Sequence, residues 1–595
     1  MKVTKIPANV DPSKLAKLLD SVAIKELPAQ TDAGMAARAA ADPESGDSYL
    51  RGTEISQNLF KQLQQANHET GETVTLKTAD GKLTAAGTLL QAISEARADR
   101  DVWFDPPKSG AVLTADFRNV DLNRLGWKDS KSEYITVTGI PSSELTVYWA
   151  DQGPADPRPY VAPSRELGVL FYERGKDVDL ARSGNMSASD PCASIKTELE
   201  QDGTKAAGVP EKLKLKNVNR DPSTVRREIS ADFFRDTLKV PVQRIAPAKW
   251  FANGEYQGFR DAEEPLDLEM WKAAWKDIDE EHEVPDKVWL FKAQWQLGVK
   301  SLEGKTLTKA DLAYRGDRGN AYRATGDEQV YDLKTGKKSE ASEAYGELAS
   351  FIKTLNGIGL GAKDSSGRTI ADNDPKRFNT REYREAMERG SDPYGMLRTL
   401  AGLQLTGAWD NLPNPSNYAL ACERDGDKSR WYMVPIDVDS TWGMCWSGQP
   451  KPQDMDLLMR GGQFDDAAAI WKNLLANDDF KAYYLDYLEH LLDKDFKPEK
   501  IQANVLKRWE EHQNAVYQEG SFNQPTTTQR PFTNDEISGH LYANWEINKD
   551  GLYAPPIKTF VEWRSSNARW QLDHIRHDFG KHSGVDFGAG QLTPR

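Results

Sequence analysis

Two carboxylates, Asp437 and Asp439, stand one residue apart at the end of the apolar segment 431–436. Acidic side chains are disfavoured at the end of a buried strand unless a cation, hydrogen bonds or a metal compensates their charge. Upstream, Asp410 and then Asn417 lie on a turn rich in Asn and Pro. In a kinase-type site, the first Asp positions the nucleophile, and the Asn and later Asp hold Mg²⁺ against the phosphates. The spacing alone leaves open a second interpretation, two ordinary Asp/Asn-rich turns around a hairpin.

Three elements must position these side chains. Residues 394–406 carry leucines at helical spacing, which predicts a helix that delivers the chain to Asp410. A short apolar strand follows Asn417, and the polar segment 423–429 predicts a turn into a second strand, 431–436. The pattern therefore predicts a helix, a loop with Asp410, and a hairpin that ends at Asp437.

Composition restricts the class of protein. A chain of 595 residues is long enough for two or three domains. The formal net charge of −14 argues against nucleic acid as the main partner, because binding phosphate backbones needs a basic face. The three cysteines show neither a zinc pattern nor a paired disulfide framework. The sequence has no apolar run typical of a signal peptide or a membrane span, so we expect no membrane partner.

The stretch from Leu405 to Trp446 resembles the signature of the CotH family, the spore-coat atypical kinases. In that family a D…NxY segment is followed by a hairpin and a WYxxPWDxDxxxG motif. The matching residues here are Asp410, Asn417, Tyr418, Trp431, Tyr432, Pro435, Asp437, Asp439, Trp442 and Gly443. One position departs, since Ile436 stands where the family has Trp. That change keeps an apolar residue and both acids.

The resemblance implies an α+β, two-lobed atypical protein-kinase-like fold with an N-terminal accessory region. It implies transfer of phosphate from ATP, with Mg²⁺ or Mn²⁺, to Ser or Thr of a protein substrate or of the chain itself. Asp410 is then the catalytic residue that orients or deprotonates the hydroxyl. Asn417 and Asp437 hold the metal, and Asp439 is a second metal ligand or fixes the loop.

Further candidate residues come from an upstream resemblance to the family's nucleotide-facing lobe. Lys196 keeps a strand-lysine position, although Cys192 and Ala193 replace residues that are often lysine in the family. Glu264 matches a strand-end Glu near the nucleotide pocket, and Arg226 lies on a helix from which it could pair with a phosphate. We therefore predict that Lys196, Glu264 and Arg226 bind the nucleotide.

The domain boundary is predicted at the proline-rich segment 151–163. Residues 1–150 form an accessory region of unknown role, with degenerate EF-hand-like loops that begin at Asp42 and Thr78. The resemblance implies that residues 160–595 form the kinase domain, with lobes at about 165–300 and 340–595. A final helix is predicted at 561–579, with its aromatic stripe, Trp563 and Trp570, in the core.

Two other functions remain open. The chain could be a catalytically weak or inactive scaffold that binds a coat-assembly partner, an idea supported by the replaced lysines near Cys192. It could also be a kinase-fold enzyme with other ATP chemistry, such as adenylylation or glutamylation. Without a signal peptide, we expect the protein in the cytoplasm, associated with a spore, or exported by a signal-independent route.

Overall fold

The computed structural model describes short strands between residues 111 and 199 and most of the chain from 212 to 594. Between 212 and 594 it does not describe residues 219–220, 253–254, 295–297, 327–328, 412–414, 448, 518–531 and 550. The loops that begin at Asp42 and Thr78, most of the predicted linker, and Cys192 lie outside the described residues.

The described residues mix helices and sheets, which confirms an α+β protein. The helices are α1 (Arg226–Asp232), α2 (Leu268–Ile278), α3 (Ala341–Leu355), α4 (Arg381–Gly390), α5 (Pro393–Thr406), α6 (Ala469–Leu475), α7 (Asp478–Lys494), α8 (Pro498–Tyr517), α9 (Asn534–Tyr542) and α10 (Ile557–Asp578). A π-helical turn, Phe233–Thr237, follows α1. In the part of the chain that is described, none of these helices is long and apolar enough to cross a membrane.

Eleven of the described strands form one mixed sheet. They are β1 (Ala111–Arg118), β2 (Trp127–Lys128), β3 (Ile135–Val137), β4 (Ile140–Ser142), β5 (Glu144–Asp151), β6 (Arg165–Glu166), β7 (Val178–Gly184), β8 (Ser194–Leu199), β9 (Lys212–Asn217), β10 (Ile245–Ala252) and β11 (Glu255–Glu263). Their order is β2-β3-β7-β8-β9-β11-β10-β1-β5-β6, with β4 beside β7. β1 runs parallel to β10, whereas β10 and β11 form an antiparallel hairpin. The sheet thus includes strands on both sides of the predicted boundary, and that boundary stays a prediction.

The chain divides into two compact units. The first comprises the strands up to residue 220 with the segments 245–265 and 509–535, and it contains the large sheet. The second comprises residues 221–244, 266–508 and 536–595, and it contains the predicted helix, loop and hairpin around Asp410.

The second unit contains a four-stranded antiparallel sheet of β12 (Lys287–Ala293), β15 (Tyr331–Leu333), β16 (Tyr418–Asp425) and β17 (Lys428–Pro435). The order of these strands is β15-β12-β16-β17. On one face, Trp271 of α2 packs with Tyr432. On the other, Phe351 of α3 stacks on Trp431, with ring centroids 4.9 Å apart. Coverage on both faces explains why β16 is almost continuously apolar rather than alternating.

The predicted elements around the site are confirmed. Helix α5 begins after Asp392, whose carboxylate accepts from the Gly395 N–H, and it ends at Gly407 in the left-handed conformation. β16 and β17 form the predicted hairpin, with Tyr418 paired to Pro435. Two smaller antiparallel sheets complete the described strands: β13 (Val299–Lys300) with β14 (Thr306–Leu307), and β18 (Cys445–Trp446), β20 (Leu552–Ala554) and β19 (Ile547–Lys549).

The prediction that the aromatic stripe of the last helix is core is wrong. On α10, Trp563 is 37% exposed and Trp570 is 60% exposed, whereas Leu572 and Ile575 are buried. Residues seven apart on a helix share a face, but residues two apart lie about 200° apart around the axis. Trp570 and Leu572 therefore lie on opposite faces, and only the face with Leu572 packs inward.

Candidate active site

The hairpin places Asn417 opposite Ile436, the residue that precedes Asp437. Because β16 and β17 are antiparallel and pair Tyr418 with Pro435, the residue before β16 lies next to the residues that follow β17. The Ile436 N–H donates to the Asn417 carbonyl at 3.2 Å, which extends the ladder by one step. Strand pairing thus brings the segments that carry Asn417 and Asp437 together, although the two residues are far apart in the sequence.

Asp410 joins this pair through a side-chain contact. The left-handed turn at Gly407 ends α5 and directs the chain into the loop. The Asn417 Nδ2 group then donates to Asp410 Oδ2 at 2.8 Å. Asp410, Asn417 and Asp437 are all half-buried. The structure therefore brings together three of the four residues that the sequence predicted at this site.

Asn411 ties the loop to both strand ends. Its Nδ2 group donates to the Asn417 carbonyl at 2.8 Å and to the Ile436 carbonyl at 3.1 Å. Asn411 is 3% exposed, and its bond to the Ile436 carbonyl is buried. A single buried amide thus sets the separation between the loop with Asp410, the residue Asn417, and the residue that precedes Asp437.

Asn417 and Asp437 both have unusual backbone conformations. Their φ angles are 58° and 52°, in the left-handed region that residues other than Gly rarely adopt. Asn and Asp tolerate this region better than other residues, at a cost of about 1–2 kcal/mol for an ordinary L-residue. Strained conformations persist where surrounding contacts impose them, and they concentrate at functional sites. Here two of them occur at adjacent strand ends.

Asp439 is paired with a helix. Arg227 of α1 donates from Nη2 to Asp439 Oδ2 at 3.1 Å, and Ser440 Oγ lies 3.3 Å from Asp439 Oδ1. The next turn of α1 contacts the same loop, since Ser230 Oγ accepts from Trp442 Nε1 at 2.8 Å and lies 2.9 Å from Thr441 Oγ1. Two roles were predicted for Asp439, metal ligand and loop fixing, and these contacts fit the second.

Phe560 of α10 packs between the two loops of the site. A Cβ added to Gly407 would lie 2.8 Å from the Phe560 ring, and one added to Gly443 would lie 2.6 Å from it. Both glycines also have positive φ, 64° and 85°. The Trp442 N–H donates to the Thr406 carbonyl, which joins the same two segments. The start of the Asp410 loop and the end of the loop that begins at Asp437 therefore form one packed unit.

Arg226 lies in a separate buried network. Its side chain is fully buried, and its guanidinium pairs with Asp221 and donates to the Pro555 carbonyl at 2.7 Å. The same group lies 3.3 Å from Nε2 of His540, whose Nδ1 is 2.9 Å from the Trp545 carbonyl. Burial, followed by the nearby Arg226 charge, lowers the pKa of His540 to about 3, so His540 is neutral. These contacts give no support to a nucleotide-binding role for Arg226.

A comparison with known protein families tests the resemblance of residues 405–446 to the CotH signature. A family model described as CotH kinase protein matches residues 182–540, which is more than half of the chain. The chain belongs to the CotH family. A comparison with curated proteins finds no match. In this CotH protein, Asp410, Asn417, Asp437 and Asp439 lie inside the matched residues, and Phe560 lies beyond them.

The remaining predicted residues of this CotH protein belong to the first unit. Lys196 is in β8, where it pairs with Ala181 of β7 and Lys214 of β9. Glu264 directly follows β11 and is 1% exposed. Its neighbour Glu263 pairs with Lys214 at 2.7 Å. Lys196 and Glu264 thus lie in or beside one sheet, and their nucleotide-binding roles stay predictions.

Sequence reasoning missed Asn411, Arg227 and Phe560. Asn411 is one residue from Asp410 and could have been noticed as a second amide on the turn. Arg227 is adjacent to Arg226, but consecutive helical residues point about 100° apart, and the sequence does not decide which arginine faces the loop. No local signal connects Phe560 to residues 407 and 443. The contact depends on the tertiary fold.

Proposed function

We propose that this CotH protein transfers the γ-phosphoryl group of ATP to a Ser or Thr hydroxyl of a protein substrate or of its own chain. The observation that carries this proposal is the convergence of Asp410, Asn417 and Asp437 at one end of the β16–β17 hairpin. We further propose an atypical kinase-like fold with lobes at about 165–300 and 340–595 and an accessory region before about residue 150.

Asp410 is the proposed catalytic residue. The Asn417 amide orients its carboxylate, and an ionised carboxylate is a group that can accept the proton of an incoming hydroxyl. A base that a hydrogen-bond donor already holds in position loses less conformational freedom when the acceptor substrate binds. Positioning of this kind, with electrostatic stabilisation, contributes most of the catalysis in phosphoryl transfer. Asp410 therefore aligns the hydroxyl and removes its proton.

Asn417 and Asp437 are the proposed metal ligands. Mg²⁺ prefers oxygen ligands and is commonly held by one or two carboxylates together with waters and substrate phosphates. Asp437 supplies a carboxylate, and Asn417 supplies an amide oxygen opposite the NH₂ group that Asp410 occupies. Among the described residues, no group of three or more His, Cys, Asp or Glu side chains could hold a metal ion. A bound ion would neutralise phosphate charge.

For the nucleotide itself we propose Lys196 and Glu264. A strand lysine is the residue type that neutralises α- and β-phosphates. A buried carboxylate at a strand end can accept from a base amine. We leave Arg226 out, because its guanidinium contacts Asp221 and the Pro555 carbonyl inside the protein.

The test is incubation with γ-labelled ATP and Mg²⁺ or Mn²⁺, with the protein alone and with a general protein acceptor. Asp410→Asn and Asp437→Asn should each lower label transfer by about 10²-fold or more. Asp425→Asn is the matched control, because Asp425 is exposed at the opposite end of the same hairpin and should leave transfer unchanged.

The product mass separates the other functions. A gain of about 80 Da marks a phosphate and a gain of about 329 Da marks AMP, values from the formulae of the groups that ATP chemistry can transfer. Thermal stabilisation by nucleotide without any covalent product would replace our proposal with the scaffold function.

A further inference from the structure

The contact between Arg227 and Asp439 joins a fixed cation to an acid of the site loop. The Arg227 side chain is 5% exposed, whereas that of Asp439 is 39% exposed. A guanidinium stays charged at all physiological pH values. Because a buried charge is costly unless it is paired, a buried guanidinium is stabilised by a nearby carboxylate. The Nη2–Oδ2 distance of 3.1 Å is that of a hydrogen-bonded ion pair.

The face of α1 that carries Arg227 contacts the loop a second time. Ser230 lies three residues after Arg227, so the two side chains share one side of the helix. Ser230 is fully buried and contacts both Thr441 and Trp442. The α1 helix therefore holds the loop at residue 439 and again at residues 441–442.

Asp437 needs such support. Its φ of 52° is unfavourable for a side chain with a Cβ, and it lies only two residues before the acid that Arg227 holds. A strained residue keeps its conformation only while neighbouring contacts impose it. On one side of Asp437 the constraint comes from the ladder and Asn411; on the other it comes from Asp439.

We propose that Arg227 is a positioning residue for the metal loop. Arg227 acts through Asp439 to hold Asp437 in its strained conformation, and Asp439 is a tether and does not ligate the metal. This inference rests on the proposed function, because it assigns Asp437 to the metal. Groups that orient a metal ligand typically change metal affinity by about 10- to 100-fold when they are removed.

A double-mutant cycle tests this assignment on the full chain. The variants are Arg227→Gln, Asp439→Asn and both together, and Arg235→Gln is the matched control. Arg235 lies in the π-helical turn after α1 and pairs with Asp232 at 2.7 Å, so it is an arginine in an ion pair with a different aspartate. The readouts are Mn²⁺ binding by electron paramagnetic resonance with a non-transferable ATP analogue, and the Mn²⁺ dependence of label transfer.

We expect Arg227→Gln and Asp439→Asn to raise the half-saturating Mn²⁺ concentration by the same factor, about 10- to 100-fold. The double variant should resemble the single variants, because a pair that acts as one unit is non-additive. Transfer at saturating Mn²⁺ should approach the wild-type rate. Arg227→Lys, which keeps the charge, should restore part of the affinity, and Arg235→Gln should change nothing.

Two results would overturn the assignment. Loss of Mn²⁺ binding in Asp439→Asn far beyond that in Arg227→Gln would make Asp439 a direct ligand. Additive effects in the double variant would show that Arg227 and Asp439 act independently of each other. If Arg227→Gln does not fold, as judged by circular dichroism, the comparison uses Arg227→Lys and Asp439→Asn.

The inference and the proposed function can fail separately. Wild-type protein that binds Mn²⁺ with the analogue but transfers no phosphate refutes the kinase proposal, and the cycle is then decided by binding alone. Label transfer with an unchanged Mn²⁺ dependence in Arg227→Gln refutes only the positioning role. Absence of Mn²⁺ binding in the wild type refutes both.

Discussion

Replacing Asn411 with Ala tests whether one buried amide sets the spacing of the site. The substitution removes the two hydrogen bonds from Nδ2 to the carbonyls of Asn417 and Ile436. The Asn417 carbonyl keeps the Ile436 N–H as a donor, so its loss is limited to about 1 kcal/mol. The Ile436 carbonyl loses its Asn411 donor in a buried setting, which costs about 1–3 kcal/mol.

The expected decrease in the free energy of unfolding is therefore roughly 2–4 kcal/mol. It is measured by urea denaturation, and an unchanged m-value would show that the change is in stability and not in the denatured state. Because the amide joins the Asp410 loop to the strand ends, we also expect label transfer to fall about 10²-fold, the usual consequence of a displacement of about 1 Å.

Asn356→Ala is the matched control. Asn356 also donates from Nδ2 to two main-chain carbonyls, those of Leu312 and Ile352, at 2.9 and 2.8 Å. It should lower stability and leave transfer per folded molecule unchanged. Equal stability losses in both variants, with no loss of transfer in Asn411→Ala, would refute the claim that Asn411 sets the spacing.

Three further predictions concern Asp437, Phe560 and His540. Asp437→Gly should be more stable than Asp437→Ala by about 1 kcal/mol in urea denaturation, because Gly adopts the φ of 52° without strain. Both variants should lose label transfer, and equal stability of the two would contradict the backbone strain at residue 437. Phe560→Ala should lower the free energy of unfolding by about 3–5 kcal/mol and speed amide hydrogen exchange at Gly407 and Gly443. Phe378→Ala removes another buried ring and is the control, which should not speed exchange at these two glycines. The folded-state pKa of His540, about 3, lies below its ordinary value, so the unfolded state binds more protons between pH 6.5 and 3 and wild-type stability falls as pH falls. His540→Asn should remove up to about 1.4 kcal/mol per pH unit of that dependence, and equal slopes for the two proteins would exclude the histidine as its source.

The hairpin and the helix before Asp410 could be predicted because their signals are local. An apolar run, a polar turn with Gly426 and a second apolar run define β16 and β17 without reference to the rest of the chain. Leucines at helical spacing and a glycine at the end define α5 in the same way. The pairing of the two strands then determines that Asn417 lies opposite Ile436, the residue before Asp437.

The surroundings of the site could not be predicted, because they depend on which side of an element faces inward. Arg226 and Arg227 are chemically identical neighbours, yet one is enclosed with Asp221 and the other reaches Asp439. The same difficulty explains the wrong prediction for Trp563 and Trp570. Their hydrophobicity indicated the core, but Leu572 and Ile575 occupy the buried face of α10.

The position of Phe560 has a consequence for how the protein is made. The ring that packs against Gly407 and Gly443 is synthesised well after both glycines, and contacts between distant parts of a chain form late because loop closure costs entropy. A nascent chain that has emerged through Gly443 carries Asp410, Asn417 and Asp437 without this ring between their loops. We therefore expect the proposed phosphate-transfer site to mature only after translation has passed α10, so that a partly synthesised chain is inactive.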